Sequence, residues 1–118
     1  MCNLLPLLAV VLLLAACGRA DPPTETWTGF ATSDGVERTV TLEVERRGGR
    51  LTGTYRVDAV PGDFRGEVDG GTLTADLRAS DDCAYRLEGT LTETELDATY
   101  EPDACPGGTS GTWSLEKS

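Results

Sequence analysis

From Trp27 onward the chain alternates apolar and polar positions with a period of two, and turn residues interrupt the alternation at short intervals. This pattern predicts β-strands throughout and no helix. Pairing tests the register. With Gly48-Gly49 as a two-residue turn, Val44 faces Gly53, Leu42 faces Tyr55 and Val40 faces Val57. A turn at Gly70-Gly71 sets Val68 against Leu73, Gly66 against Ala75 and Phe64 against Leu77. A third turn, at Glu93-Thr94, sets Leu91 against Leu96, Gly89 against Ala98 and Leu87 against Tyr100. Apolar or small residues meet on one face each time, and a slip of one residue would destroy the agreement. The other face carries Thr39, Thr41, Glu43 and Glu45 on one strand and Arg86, Glu88 and Thr90 on another. Threonine, β-branched and polar, suits the wet side of a sheet. A first strand near Trp27 to Ala31 precedes the turn signal Ser33-Asp34-Gly35, and a last strand, Gly111 to Glu116, points Trp113 and Leu115 inward.

The count is eight strands in simple antiparallel order. One flat sheet of that size would leave its apolar face wet, so the expected fold is all-β, an eight-stranded up-and-down barrel closed on itself. A two-sheet β-sandwich is the alternative, disfavoured by the short, nearly uniform hairpins. The inward face would hold Trp27, Tyr55, Phe64, Tyr85, Tyr100 and Trp113, with Gly29, Gly53, Gly66, Ala75, Gly89, Ala98 and Gly111 between them. These small residues either let bulky neighbours interdigitate or leave a cavity for a small apolar ligand, which makes the six aromatic residues candidate ligand-lining positions. The meander resembles small lipocalin-like and avidin-like barrels, and Leu51-Thr52-Gly53-Thr54-Tyr55 looks like a strand segment of avidins. Biotin sites in that family rely on several tryptophans, whereas this domain has Trp27 and Trp113 alone, so biotin binding is not carried over.

The N-terminal segment changes the picture from fold to address. Leu4 to Ala16 reads LLPLLAVVLLLAA, an uncharged run too short to span a hydrocarbon core of roughly 30 Å and of the length of a signal-peptide core. Leu14-Ala15-Ala16-Cys17 resembles the bacterial lipobox. That resemblance implies cleavage before Cys17, diacylglycerol on its thiol and stable anchoring by two or three acyl chains. Met1-Cys2-Asn3 departs from the pattern by lacking a basic residue. The expected organisation is therefore a lipoprotein signal peptide over 1–16, a lipidated tether over 17–26 containing Pro22-Pro23, and a barrel domain over 27–118. Gly18 stands where an Asp would retain an enteric-type lipoprotein in the inner membrane. The expected home is thus the outer membrane where one exists, and otherwise the outer face of the cell membrane.

Export bears on the cysteines. Once Cys2 leaves with the signal and Cys17 is acylated, Cys83 and Cys105 remain, and an oxidising compartment favours their disulfide. Extending the Glu93-Thr94 hairpin outward puts Cys83 opposite Ala104, beside Cys105, where Pro102 should loosen the chain. Such a bridge would contribute roughly 3 kcal/mol. It would also gather Asp81, Asp82, Glu101 and Asp103 at one rim, a weak candidate for Ca²⁺ that lacks any EF-hand spacing.

Candidate chemistry is sparse. The chain has no histidine, which removes Ser-His-Asp and Cys-His nucleophiles and the usual zinc sets. Strand carboxylates mostly fall on the wet face, where nothing raises a pKa, so no catalytic residue, metal or cofactor is expected. Ten basic against twenty acidic residues give a net charge of −10, unsuited to nucleic acid and suited to cationic partners. The expected role is a non-catalytic envelope lipoprotein that binds or assists a partner. Two further expectations are a carrier of a small apolar ligand and an inhibitor of basic hydrolases such as lysozyme. For the latter, Ser110-Gly111-Thr112-Trp113 loosely resembles the Ser-Gly loop of such inhibitors.

Overall fold

A computed structural model describes residues 23–118 of the chain. The expected signal peptide and the anchor Cys17 lie outside the described residues. The strands are β1 (Thr24–Ser33), β2 (Val36–Arg47), β3 (Arg50–Val57), β4 (Val60–Asp69), β5 (Thr72–Ala79), β6 (Ala84–Leu91), β7 (Glu95–Ala104) and β8 (Gly111–Lys117). They form a closed antiparallel barrel in sequence order. β1 pairs with β8 from Trp27 opposite Lys117 to Thr32 opposite Thr112, which excludes the two-sheet sandwich. Closure leaves no unpaired sheet edge.

The three hairpin registers read from the alternation are those of the structure, residue for residue. The turns explain why. Gly70 and Gly71 both have positive φ, as do Asp34 and Gly35, which is the backbone a tight two-residue hairpin demands. Between β6 and β7 the Thr92 hydroxyl accepts the backbone N–H groups of Thr94 and Glu95 and sets that turn without glycine.

Two boundaries differ from expectation. β1 begins at Thr24, inside the segment expected as tether, and Thr24 to Thr26 pair with Glu45, Val44 and Glu43. The cause is Glu25, which reads as polar linker but faces inward and is buried. The second difference is a bulge. Ala84 pairs with Ala104 while Tyr85 pairs with Pro102, so one residue of β7 is extra. That shift moves Cys83 from opposite Ala104 to opposite Cys105, and the two are joined by a disulfide with Cα atoms 4.5 Å apart. Pro102 has no N–H to give to the ladder, so the irregularity falls where a ladder bond is already missing.

Because strands alternate in direction, the β2–β3, β4–β5 and β6–β7 turns share one end with both the start of β1 and the end of β8. That end is packed shut. Leu42, Val44, Leu51, Leu73, Leu87, Leu96 and Leu115 fill it with essentially no exposure. Several inward glycines act here through close strand approach rather than through empty space. A Cβ on Gly53 would run into the Glu43 carbonyl, and one on Gly89 into the Asp97 carbonyl.

Candidate binding site at the open end of the barrel

The opposite end carries the β1–β2, β3–β4 and β5–β6 turns and the β7–β8 loop, and there the core gives way to a cavity of about 480 Å³. Ala31, Leu77, Ala79 and Trp113 line it together with Tyr55, Tyr85 and Tyr100. Two cross-strand pairs create the space. Tyr55 lies directly opposite Gly62, and Tyr100 opposite Gly111. A Cβ on Gly62 would sit 2.5 Å from Cζ of Tyr55, and one on Gly111 would sit 2.7 Å from Cζ of Tyr100. Each ring therefore lies across the bare backbone of its neighbour, along the wall, and leaves the lumen open. Gly62 makes room for the Tyr55 ring, while at Gly111 a Cβ would meet the Thr32 carbonyl as well as the Tyr100 ring.

The aromatic groups are mutually supported. Tyr55 and Trp113 meet at 5.6 Å between ring centroids, tilted by 60°. Tyr85 and Tyr100 meet edge to face at 5.8 Å. The Tyr85 hydroxyl donates to Sγ of Cys105 at 3.4 Å, because a disulfide sulfur has no proton to give. The bridge thus holds one wall of the cavity as well as joining two strands. Tyr55 is only 5 % exposed, yet its hydroxyl makes no hydrogen bond among the described residues. Burial pushes its pKa up to about 12, and the charges of Tyr85, Asp81 and Asp63 add to the shift. Burial, with Asp81 second, also raises that of Tyr85.

Of the six aromatic residues expected to face a ligand, Tyr55, Tyr85, Tyr100 and Trp113 line the cavity. Trp27 and Phe64 do not. Phe64 stacks beneath Trp113 at 6.4 Å, with planes 20° apart, and belongs to the packed interior. Trp27 sits at the closed end, where its indole N–H donates to Glu25 Oε1 at 3.1 Å. Arg46 completes that group by donating through Nε to Glu25 Oε2 at 2.6 Å and through an Nη to Oε1 at 3.1 Å. The guanidinium holds the Glu25 carboxyl below its usual range against the opposing effect of burial. This ion pair, of a buried Glu25 with a partly exposed Arg46, was not read from the sequence. The available signal was that Glu25 is two residues from Trp27 and so shares its inward face.

The calcium candidate does not assemble. Among the described residues no three acidic side chains stand close enough to hold a metal ion. Asp81 lines the cavity and accepts the Cys83 backbone N–H at 3.1 Å, Asp82 is a positive-φ turn residue, and Glu101 and Asp103 lie exposed on β7. The bridge joins the strands without converging these four carboxylates. The Ser110-Gly111-Thr112-Trp113 segment spans the start of β8: the Ser110 carbonyl accepts the Ser33 hydroxyl at 2.8 Å, Gly111 lies beneath Tyr100, and Trp113 is buried. No family model, curated protein or solved structure matches this chain.

Proposed function

We propose that this protein is a non-catalytic, lipid-anchored envelope protein that holds a small ligand in the open end of its barrel. The observation that carries the reading is the cavity itself. At about 480 Å³ it is of the size of small-molecule sites, and it joins aromatic walls to a few polar groups. The interior is otherwise filled by leucine, valine, alanine, Trp27 and Phe64, so an opening at one end is a departure from close packing. The rim adds Val36 and Val60, which are 53 % and 44 % exposed and suit contact with an apolar body.

The anchor expected at Cys17 fits this arrangement. Six residues separate Cys17 from β1, a reach of about 20 Å when extended. Because β1 starts at the closed end, a barrel tethered there would turn its mouth away from the membrane. Native mass spectrometry of the full chain, purified without denaturant, tests the ligand reading. A bound small molecule is expected, and Ala79→Phe, which fills the cavity from its wall, should eliminate it without lowering the melting temperature. A bare mass for the wild-type protein would count against a resident ligand. For the anchor, Cys17→Ser should release the protein from the membrane fraction, and an unchanged fraction and mass would refute it.

A further inference from the structure

The two ends of the barrel differ in charge as well as in packing. At the closed end the connecting turns are Gly48-Gly49, Gly70-Gly71 and Thr92-Glu93-Thr94, with a single acid. At the mouth the connections carry Asp34, Asp58, Asp81 and Asp82 and no lysine or arginine. Among the described residues Arg38 is the one cation that lines the cavity, and its guanidinium lies 3.4 Å from Asp58. Asp34 and Asp81 line the same cavity with no cationic partner among the described residues.

We infer that the cavity recognises a small organic cation, an ammonium group carried on an apolar or aromatic body. This rests on the ligand-binding reading and specifies the charge of the ligand. Three observations converge. Tyr55, Tyr85, Tyr100 and Trp113 present four π systems around one space, and the negative face of an aromatic ring attracts an ammonium or quaternary ammonium ion. Asp34 and Asp81 supply unpaired negative charge at the entrance to that space. Independently of the acids, Tyr55 is 5 % exposed as a residue and lines the cavity, and its hydroxyl makes no hydrogen bond among the described residues, which leaves an oxygen free to accept an N–H from a ligand. Burial is the main reason Tyr55 holds its proton, and the charges of Tyr85, Asp81 and Asp63 add to it in the sense the inference requires. A neutral ligand would gain the aromatic contact but leave the carboxylates unused, and an anion would be repelled by them.

A matched series separates charge from shape. Phenethylammonium, phenethyl alcohol and phenylacetate share one aromatic body and differ in charge, and each is titrated calorimetrically into the full chain. Phenethylammonium should bind about tenfold or more tightly than the alcohol, by cation–π attraction and the two carboxylates together, with phenylacetate weakest. The double variant D34N/D81N should lose most of that preference, the ammonium weakening far more than the alcohol. Asparagine can still accept the Cys83 N–H, and the melting temperature checks that the variant remains folded. Equal binding of ammonium and alcohol would overturn the cation inference and leave the small-ligand reading standing. Preference for phenylacetate would overturn it as well, and no heat from any of the three would overturn both.

Discussion

The closed and open ends of this barrel are built from the same eight strands, yet they solve opposite problems. At the closed end the inward positions hold leucine and valine on nearly every strand, and the ion pair of the buried Glu25 with Arg46 is tied to the Trp27 indole. The Glu25 carboxylate and the Trp27 indole are hydrogen-bonded there, and Gly53 and Gly89 bring strands together. At the mouth tyrosine, tryptophan, alanine, valine and leucine are joined by polar and charged residues around the cavity, and Gly62 lets the Tyr55 ring lie flat. The closed end minimises free space, whereas the mouth preserves it, with the Tyr55 hydroxyl on its wall making no hydrogen bond among the described residues. One residue type therefore does opposite work according to what lies across from it: strand backbone at Gly53, a ring at Gly62.

Perturbing each end should sharpen that contrast. The largest effect is expected from Leu87→Ala, which empties a fully buried site in the closed half and should cost about 3 kcal/mol in chemical denaturation. Tyr100→Ala at the partly open mouth should cost clearly less, and equal losses would mean that the mouth is as tightly packed as the core. Replacing Cys83 and Cys105 together by serine should cost about 3 kcal/mol by freeing the unfolded chain. Hydrogen exchange should then accelerate in β6 and β7 near the mouth before it does at the closed end.

Smaller effects follow at the two polar sites. Glu25→Gln should destabilise by about 1–2 kcal/mol, because Arg46 loses a charged acceptor but keeps an oxygen. The lowered pKa of Glu25 means that its contribution is present above the ordinary carboxylate range and is lost as pH falls through the folded-state value. Thermal melts of wild type and Glu25→Gln should therefore converge in acid. Tyr55→Phe should be nearly neutral at pH 7, at about 0.5 kcal/mol or less, since no hydrogen bond is removed. In base the sign reverses relative to Glu25. The unfolded chain releases this proton near 10 and the folded chain near 12, so stability falls between those values, and Tyr55→Phe should remove both that fall and the latest step of the tyrosinate absorbance titration.

Much of the fold was legible because strand periodicity is local and redundant. Val40, Leu42 and Val44 alternate with threonine and glutamate, and the same residues must match Val57, Tyr55 and Gly53 across a glycine turn, so one register satisfies both conditions. The cysteine pairing was legible for a similar reason, although the bulge that aligns the two was not, because one extra residue on β7, between Pro102 and Ala104, leaves no mark in the alternation. The site was half legible. Alternation named the inward aromatic residues but not their depth, so Trp27 and Phe64 stood on equal terms with Tyr55 and Tyr100.

By itself, then, the sequence determined the inward and outward face of almost every strand position, the antiparallel order and the neighbourhood of the bridge. These depend on residues near one another along the chain or related by a short turn. Closure decided the rest. Only when β1 meets β8 does the inner face acquire two ends, so that Trp27 falls at the packed one and Trp113 beneath the open one. Only then do Asp34 and Asp81, from turns far apart in sequence, come to line one cavity with four aromatic rings. Period-two alternation reports which side of a sheet a residue faces; where it lies along the axis of a closed barrel, and what stands across the lumen, is set by long-range packing.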